Sequence, residues 1–121
     1  MKSILVVEDD PAAGQALVRL FGADYRVELV TDLMSVRQRL SYGPRGRYDL
    51  VVTDWCFPVE PSGPVIDAAG SRVVAYAAQA KVPCVVYSGS ERAAGYDDVW
   101  ITKGDVDGLR RVVRELLGDE P

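Results

Sequence analysis

Four stretches of this chain are short, continuous and apolar, and each breaks off at a polar or charged group. Ser3–Val7 stops at Glu8-Asp9-Asp10, Tyr48–Thr53 at Asp54, Val82–Tyr87 at Ser88, and Val99–Ile101 at Thr102-Lys103. Runs of this length and β-branched content suit strands covered on both faces, the condition of a parallel sheet. Tyr25–Val30 alternates apolar and charged residues instead. That pattern marks a strand with one wet face, at a sheet edge.

The intervening segments carry helical spacing. Asp10 suits an N-cap and Pro11 a first helical turn, with Ala13, Leu17 and Phe21 following at four-residue intervals up to Gly22. Leu33, Val36 and Leu40 mark a second helix. The Gly43-Pro44-Arg45-Gly46 turn leads into the strand that ends at Asp54, and a loop through Pro58 and Pro61 follows it. Gly63-Pro64 suits the start of a third helix, with Ile66, Ala69, Val73, Tyr76 and Ala80 on its apolar side and a weak point at Gly70-Ser71. Leu109, Val113 and Leu116 give a closing helix that stops near Gly118.

Strands alternating with helices imply right-handed crossovers and a mostly parallel sheet with helices on both faces. The 121 residues suit one domain, 1–121, with one core. In such a sheet all strands end on one edge, where open α/β folds place ligand and catalytic groups. Glu8, Asp9, Asp10, Asp54, Ser88 and Lys103 should therefore meet in one cleft.

Composition narrows the chemistry available there. The chain has no histidine, which removes Ser-His-Asp and Cys-His pairs and imidazole metal ligands. Two cysteines, Cys56 and Cys84, are too few for a structural zinc site, and their places at opposite ends of neighbouring strands imply free thiols. A formal charge of −4 argues against a nucleic-acid surface. No apolar run approaches the roughly 20 residues of a membrane span or the core of a signal peptide, so a cytoplasmic protein is expected.

Clustered carboxylates repel one another and call for a cation; an all-oxygen site of this kind suits Mg²⁺. A lysine and a divalent ion would neutralise phosphoryl oxygens, a carboxylate could be the nucleophile, and Ser88 could donate to a phosphoryl oxygen. Asp10 fits a helix cap better than a metal ligand.

These residues, in this order at strand ends, resemble the receiver domains of bacterial two-component response regulators, over essentially the whole chain. The resemblance implies a flavodoxin-like, CheY-like doubly wound sheet of five parallel strands in the order 2-1-3-4-5. It makes Asp54 the phospho-acceptor, Glu8 and Asp9 the acid pair, Ser88 the hydroxyl and Lys103 the conserved-type lysine. Mg²⁺ would be held by Asp9 and Asp54, with Glu8 beside them and Cys56 through its backbone carbonyl. Ser88 and Trp100 would form the switch, Trp100 turning inward as Ser88 is drawn to the phosphoryl group. The implied partners are a sensor histidine kinase or histidine phosphotransfer protein and a downstream protein, the chain being a monomer or weak homodimer. It would be a self-phosphorylating acceptor, able to lose its phosphoryl group by hydrolysis, and not a turnover enzyme.

Two departures from the family stand out. Gly104 follows Lys103 where the family usually has proline, so the cis bond usual there is not expected to persist. The step from Ser88 to Lys103 is roughly two helical turns short at 3.6 residues per turn, so the fourth helix should be short or absent. The loop after Pro58 is about a residue longer than usual. These departures keep a second reading open, a phosphorylation-independent receiver-like interaction module. A magnesium-dependent phosphatase is a weaker third, lacking an identifiable general acid or substrate pocket. Output is expected through protein contact, and Asp119-Glu120-Pro121 is where a linker to a further domain could open.

Overall fold

β1 (Ser3–Val7) is the centre of construction: its five residues pair in parallel with β2 (Arg26–Val30) on one side and β3 (Leu50–Thr53) on the other. β6 (Cys84–Ser88) pairs with β3, and β7 (Trp100–Thr102) closes the far edge. The computed structural model describes residues 1–44 and 46–119. Within them the main sheet has the order β2-β1-β3-β6-β7, all parallel. This is the flavodoxin-like 2-1-3-4-5 order. The alternating β2 lies at an edge, as its half-wet pattern requires.

Each face of the sheet receives two helices because strand side chains alternate between faces. α1 (Pro11–Phe21) and α4 (Val106–Leu117) set Leu17, Phe21, Leu109, Val113 and Leu117 against Ile4, Val6, Leu50, Val52 and Tyr87. α2 (Leu33–Ser41) and α3 (Ala69–Ala80) set Val36, Val73 and Ala77 against Leu5, Val7 and Val51. Asp10 caps α1 by accepting from the Ala13 amide at 3.1 Å, and Pro11 occupies the first turn.

The third helix starts later than the Gly63-Pro64 signal suggests. Phe57–Pro58 (β4) and Val65–Ile66 (β5) pair antiparallel as a small hairpin between β3 and α3. Ser62 turns at φ 61° within it, and Phe57 is its buried anchor. Ile66 is thus an exposed hairpin residue, and the buried helical face is Ala69, Gly70, Val73 and Ala77. In α4 the buried spacing runs on to Leu117, 3% exposed, while Leu116 is 45% exposed. The four-residue interval from Leu109 and Val113 continues without a shift.

Between β6 and β7 the described chain forms a loop and a 3-10 turn at Asp97–Val99, with no α-helix. Arg45 of the Gly43–Gly46 turn, and Glu120 and Pro121 at the end, lie outside the described residues. Both cysteines are free. No helix among the described residues is long and apolar enough to cross a membrane.

Candidate functional site

The register of the sheet assembles the site. Val7 pairs with Thr53, so Glu8 and Asp54, the next residue of each strand, emerge side by side. The Asp54 amide donates to the Val7 carbonyl at 2.9 Å, and the Glu8 amide to Val30 at 3.0 Å. On the far side Ser88 pairs with Thr102, and the Lys103 amide donates to the Ser88 carbonyl at 2.9 Å.

Lys103 reaches back across β6 and β3 to the acids. Its Nζ donates to Glu8 Oε2 at 3.0 Å and lies 3.5 Å from Asp54 Oδ2. Glu8 is 2% exposed, and its other oxygen accepts from the Asp10 amide at 3.1 Å. Asp54 Oδ1 accepts from the Trp55 amide at 2.7 Å. One Asp54 oxygen is therefore tethered to the backbone, while the other faces the ammonium.

The charges do not balance. Burial pushes the Glu8 carboxyl above its ordinary range, the Lys103 hydrogen bond pulls it back, and the nearby Asp54 charge pushes it up again; the net direction is up. For Lys103, burial works to lower the pKa, but the bond to Glu8 and the charges of Asp54 and Glu8 outweigh it and raise the value. The lysine stays charged, and Glu8 holds a proton more readily than an ordinary carboxyl.

Oxygens of Glu8, Asp9 and Asp54 lie within 4.8 Å of one another. An all-carboxylate donor set of that size fits a hard divalent cation such as Mg²⁺ and does not suit a softer metal. Asp10 is outside this group and acts as the α1 cap. The Cys56 thiol donates to Asp67 Oδ1 at 3.3 Å and lies 3.7 Å from Ser90 Oγ.

Ser88 is 1% exposed, and its hydroxyl oxygen accepts from the Ser90 amide at 3.1 Å. Trp100 is already inside the protein, 7% exposed. Its ring packs on Trp55 at a centroid distance of 5.0 Å, and Trp55 meets Tyr96 edge-on, also at 5.0 Å. Trp100 is thus a buried residue in this structure, packed beside the strand end that carries Asp54.

Two contacts escaped sequence reasoning. Gly70, which as a sequence signal looked like a weak point in a helix, lies in the first turn of α3 and donates to the Trp55 carbonyl at 2.8 Å. A Cβ there would stand 2.6 Å from the Asp54 carbonyl and 2.9 Å from the Trp55 ring, so only glycine permits the approach. The second is the Tyr87 hydroxyl, which accepts from the Gly104 amide at 2.9 Å. The Gly70 signal was in the chain as a misplaced glycine; the tyrosine contact has no local signature.

No protein-family profile matches the chain, and no curated protein sequence does. Solved structures match it in fold. The response regulator TrrA of Thermotoga maritima, determined with Mg²⁺ and BeF, superposes with a TM-score of 0.73 at 22% identity, covering 96% of this chain and 99% of that one. A receiver domain from a Pseudomonas aeruginosa sensor histidine kinase, with magnesium in its active-site cleft, gives 0.70 at 22% identity over 97% and 98%. A response regulator receiver protein from Sinorhizobium medicae gives 0.75 at 22% identity over 97% and 94%.

Proposed function

Starting from a chain with the fold of response-regulator receiver domains, we propose that it is a phospho-acceptor of two-component signalling that takes a phosphoryl group on Asp54. The observation that carries this reading is one ammonium bridging two strand-end carboxylates, Lys103 Nζ at 3.0 Å from Glu8 and 3.5 Å from Asp54. The nucleophile is Asp54 Oδ2, since Oδ1 is held by the Trp55 amide. It forms a bond to phosphorus as the P–N bond of a donor phosphohistidine breaks, and the imidazole nitrogen leaves with the electron pair and takes up a proton. These residues include no histidine, so the phosphohistidine comes from outside them, on a histidine kinase or phosphotransfer domain.

Lys103 loses its partial bond to Asp54 and turns its charge to the incoming oxygens, while the Ser88 hydroxyl, already an acceptor for Ser90, keeps its proton free to donate. Asp9, Asp54, Glu8 and the Cys56 carbonyl would hold Mg²⁺. That ion, when bound, supplies the positive charge that offsets the acid surplus and the phosphoryl oxygens. Hydrolysis of the acyl phosphate is the only further reaction assigned to the chain.

A second reading, an interaction module that works without phosphorylation, draws on the segment between β6 and β7, which holds a 3-10 turn and no α-helix, and on Gly104 after Lys103. Intact mass after incubation with acetyl phosphate and Mg²⁺ decides between the two. One added phosphoryl group on wild type, and none on Asp54→Asn, is expected. No addition to wild type, under conditions that label an established receiver, supports the second reading.

A further inference from the structure

Lys103 stands at the corner of a tight turn. The Asp105 amide donates to the Thr102 carbonyl at 3.0 Å, closing a four-residue β-turn with Lys103 and Gly104 at its two central positions. Gly104 has φ 103°, the positive value that a type II turn demands at its third residue. No atom lies within 4 Å of where a Cβ would sit, so the requirement is one of backbone conformation and not of space. Asp105 then caps α4 by accepting from the Gly108 amide at 3.0 Å. The turn therefore fixes both the start of α4 and the direction in which Lys103 leaves the backbone.

Two consecutive amides of this turn are bound by two consecutive residues of β6. The Lys103 amide goes to the Ser88 carbonyl at 2.9 Å, and the Gly104 amide goes to the Tyr87 hydroxyl at 2.9 Å. The first continues the sheet ladder and would form with any residue at Ser88. The second depends on one side chain, and on Gly104 having an N–H that proline would lack. Tyr87 is well placed as an anchor, because its ring is buried in the core between the sheet and α1 and α4. The hydroxyl holds the peptide plane between Lys103 and Gly104, the plane that separates one turn type from the other.

We infer that Tyr87 is a positioning residue for phosphoryl transfer: its hydroxyl locks the Lys103–Gly104 peptide so that the ammonium meets the acids. Among the described residues the Tyr87 hydroxyl bonds the Gly104 amide and neither the acids nor the Lys103 ammonium, so it acts through the turn. This inference rests on the phospho-acceptor reading.

The test compares wild type, Tyr87→Phe and Gly104→Ala. The phenylalanine keeps the ring in the core and removes the hydroxyl alone. The alanine leaves the hydroxyl and strains the same turn from the other side. The readouts are the initial rate of labelling by acetyl phosphate, followed by intact mass, and Mg²⁺ affinity, followed by Trp55 fluorescence. Both variants are expected to slow labelling at least about tenfold, as small misplacements of a catalytic group do. Their Mg²⁺ affinity should not fall, because Asp9 and Asp54 are not touched and an ammonium drawn away from Glu8 and Asp54 leaves the acids more negative. Should Tyr87→Phe not fold, Tyr87→Leu, which also keeps an apolar core residue and removes the hydroxyl, carries the same comparison. Labelling of the Tyr87 variant within twofold of wild type overturns the inference and leaves the phospho-acceptor reading intact. Slow labelling accompanied by equal loss of Mg²⁺ affinity also overturns it, since that is general loosening of the site. Absence of labelling in wild type overturns the reading itself, and the inference with it.

Discussion

Glu8 and Glu28 are both drawn into clusters with cations, yet they are held in opposite ways. Glu28, on the edge strand β2, is bonded by Arg39 Nε, lies 3.0 Å from Arg47 and accepts the Tyr48 hydroxyl at 2.8 Å. Burial alone would raise its pKa, but the Tyr48 bond and the two guanidiniums overcome that and lower it. One acid there has three donors. At the other cluster three carboxylates lie together and one lysine pairs with two of them, Glu8 and Asp54, and the net effect on Glu8 is upward. The first cluster is complete and ties α2 and the approach to β3 onto the sheet edge. The second has a surplus of negative charge that only an added cation or a proton can offset, the electrostatic condition of a site that does something.

The largest test of that contrast is removal of one acid from each cluster. Asp54→Asn should abolish labelling by acetyl phosphate while folding as well as wild type, since it relieves repulsion in the surplus cluster; intact mass and a thermal melt read the two results. Glu28→Gln should keep full labelling and lose about 1–3 kcal/mol of stability, the cost of stranding partly buried donors, measured by urea denaturation. A destabilised Asp54→Asn would mean that the two clusters are alike.

Next in size is the response to metal. Mg²⁺ at ten times its dissociation constant should stabilise wild type by about 1.4 kcal/mol. Glu28→Gln should respond as wild type does, and Asp9→Asn should not. An equal response in all three would remove Asp9 from the metal site.

How far each cluster could be read from the chain follows from how it is built. The acids follow directly on buried strands and Lys103 on the short edge strand β7, and topology alone brings strand ends together. Once the apolar runs of β1, β3, β6 and β7 are recognised, the meeting of Glu8, Asp54 and Lys103 follows. Glu28 gave only an alternating charge. Its partners Arg39, Arg47 and Tyr48 come from a helix and a connection whose approach to β2 no local pattern specifies. The hairpin of β4 and β5 failed for a related reason. Pro64 is as good in a hairpin as in a first helical turn, and pairing of two residues with two others leaves no periodicity to detect. Tyr87 reads as a strand core residue, and its ring is one; only the hydroxyl contact, which needs the turn at Gly104 to be in place, gives it a second role.

The smallest effect is the one in which the two glutamates differ by sign with pH. Glu28 has a folded pKa below its ordinary value of 4.5, so its contribution is present above that value and is lost as pH falls through the folded pKa. Glu8 has a folded pKa above 4.5, so between the two values the folded protein binds more protons than the unfolded chain. Stability linked to Glu8 is therefore highest below 4.5 and declines as pH rises through the raised pKa. In chelator, urea midpoints measured from acid to neutral pH should show both limbs in wild type. Glu28→Gln should lose the acid limb only, and Glu8→Gln the decline towards neutrality only. Saturating Mg²⁺ should flatten the Glu8 limb, because a bound cation takes the place of the proton in offsetting the surplus charge. A wild-type profile unchanged by Glu8→Gln would show that Glu8 does not carry the unbalanced charge of the cleft.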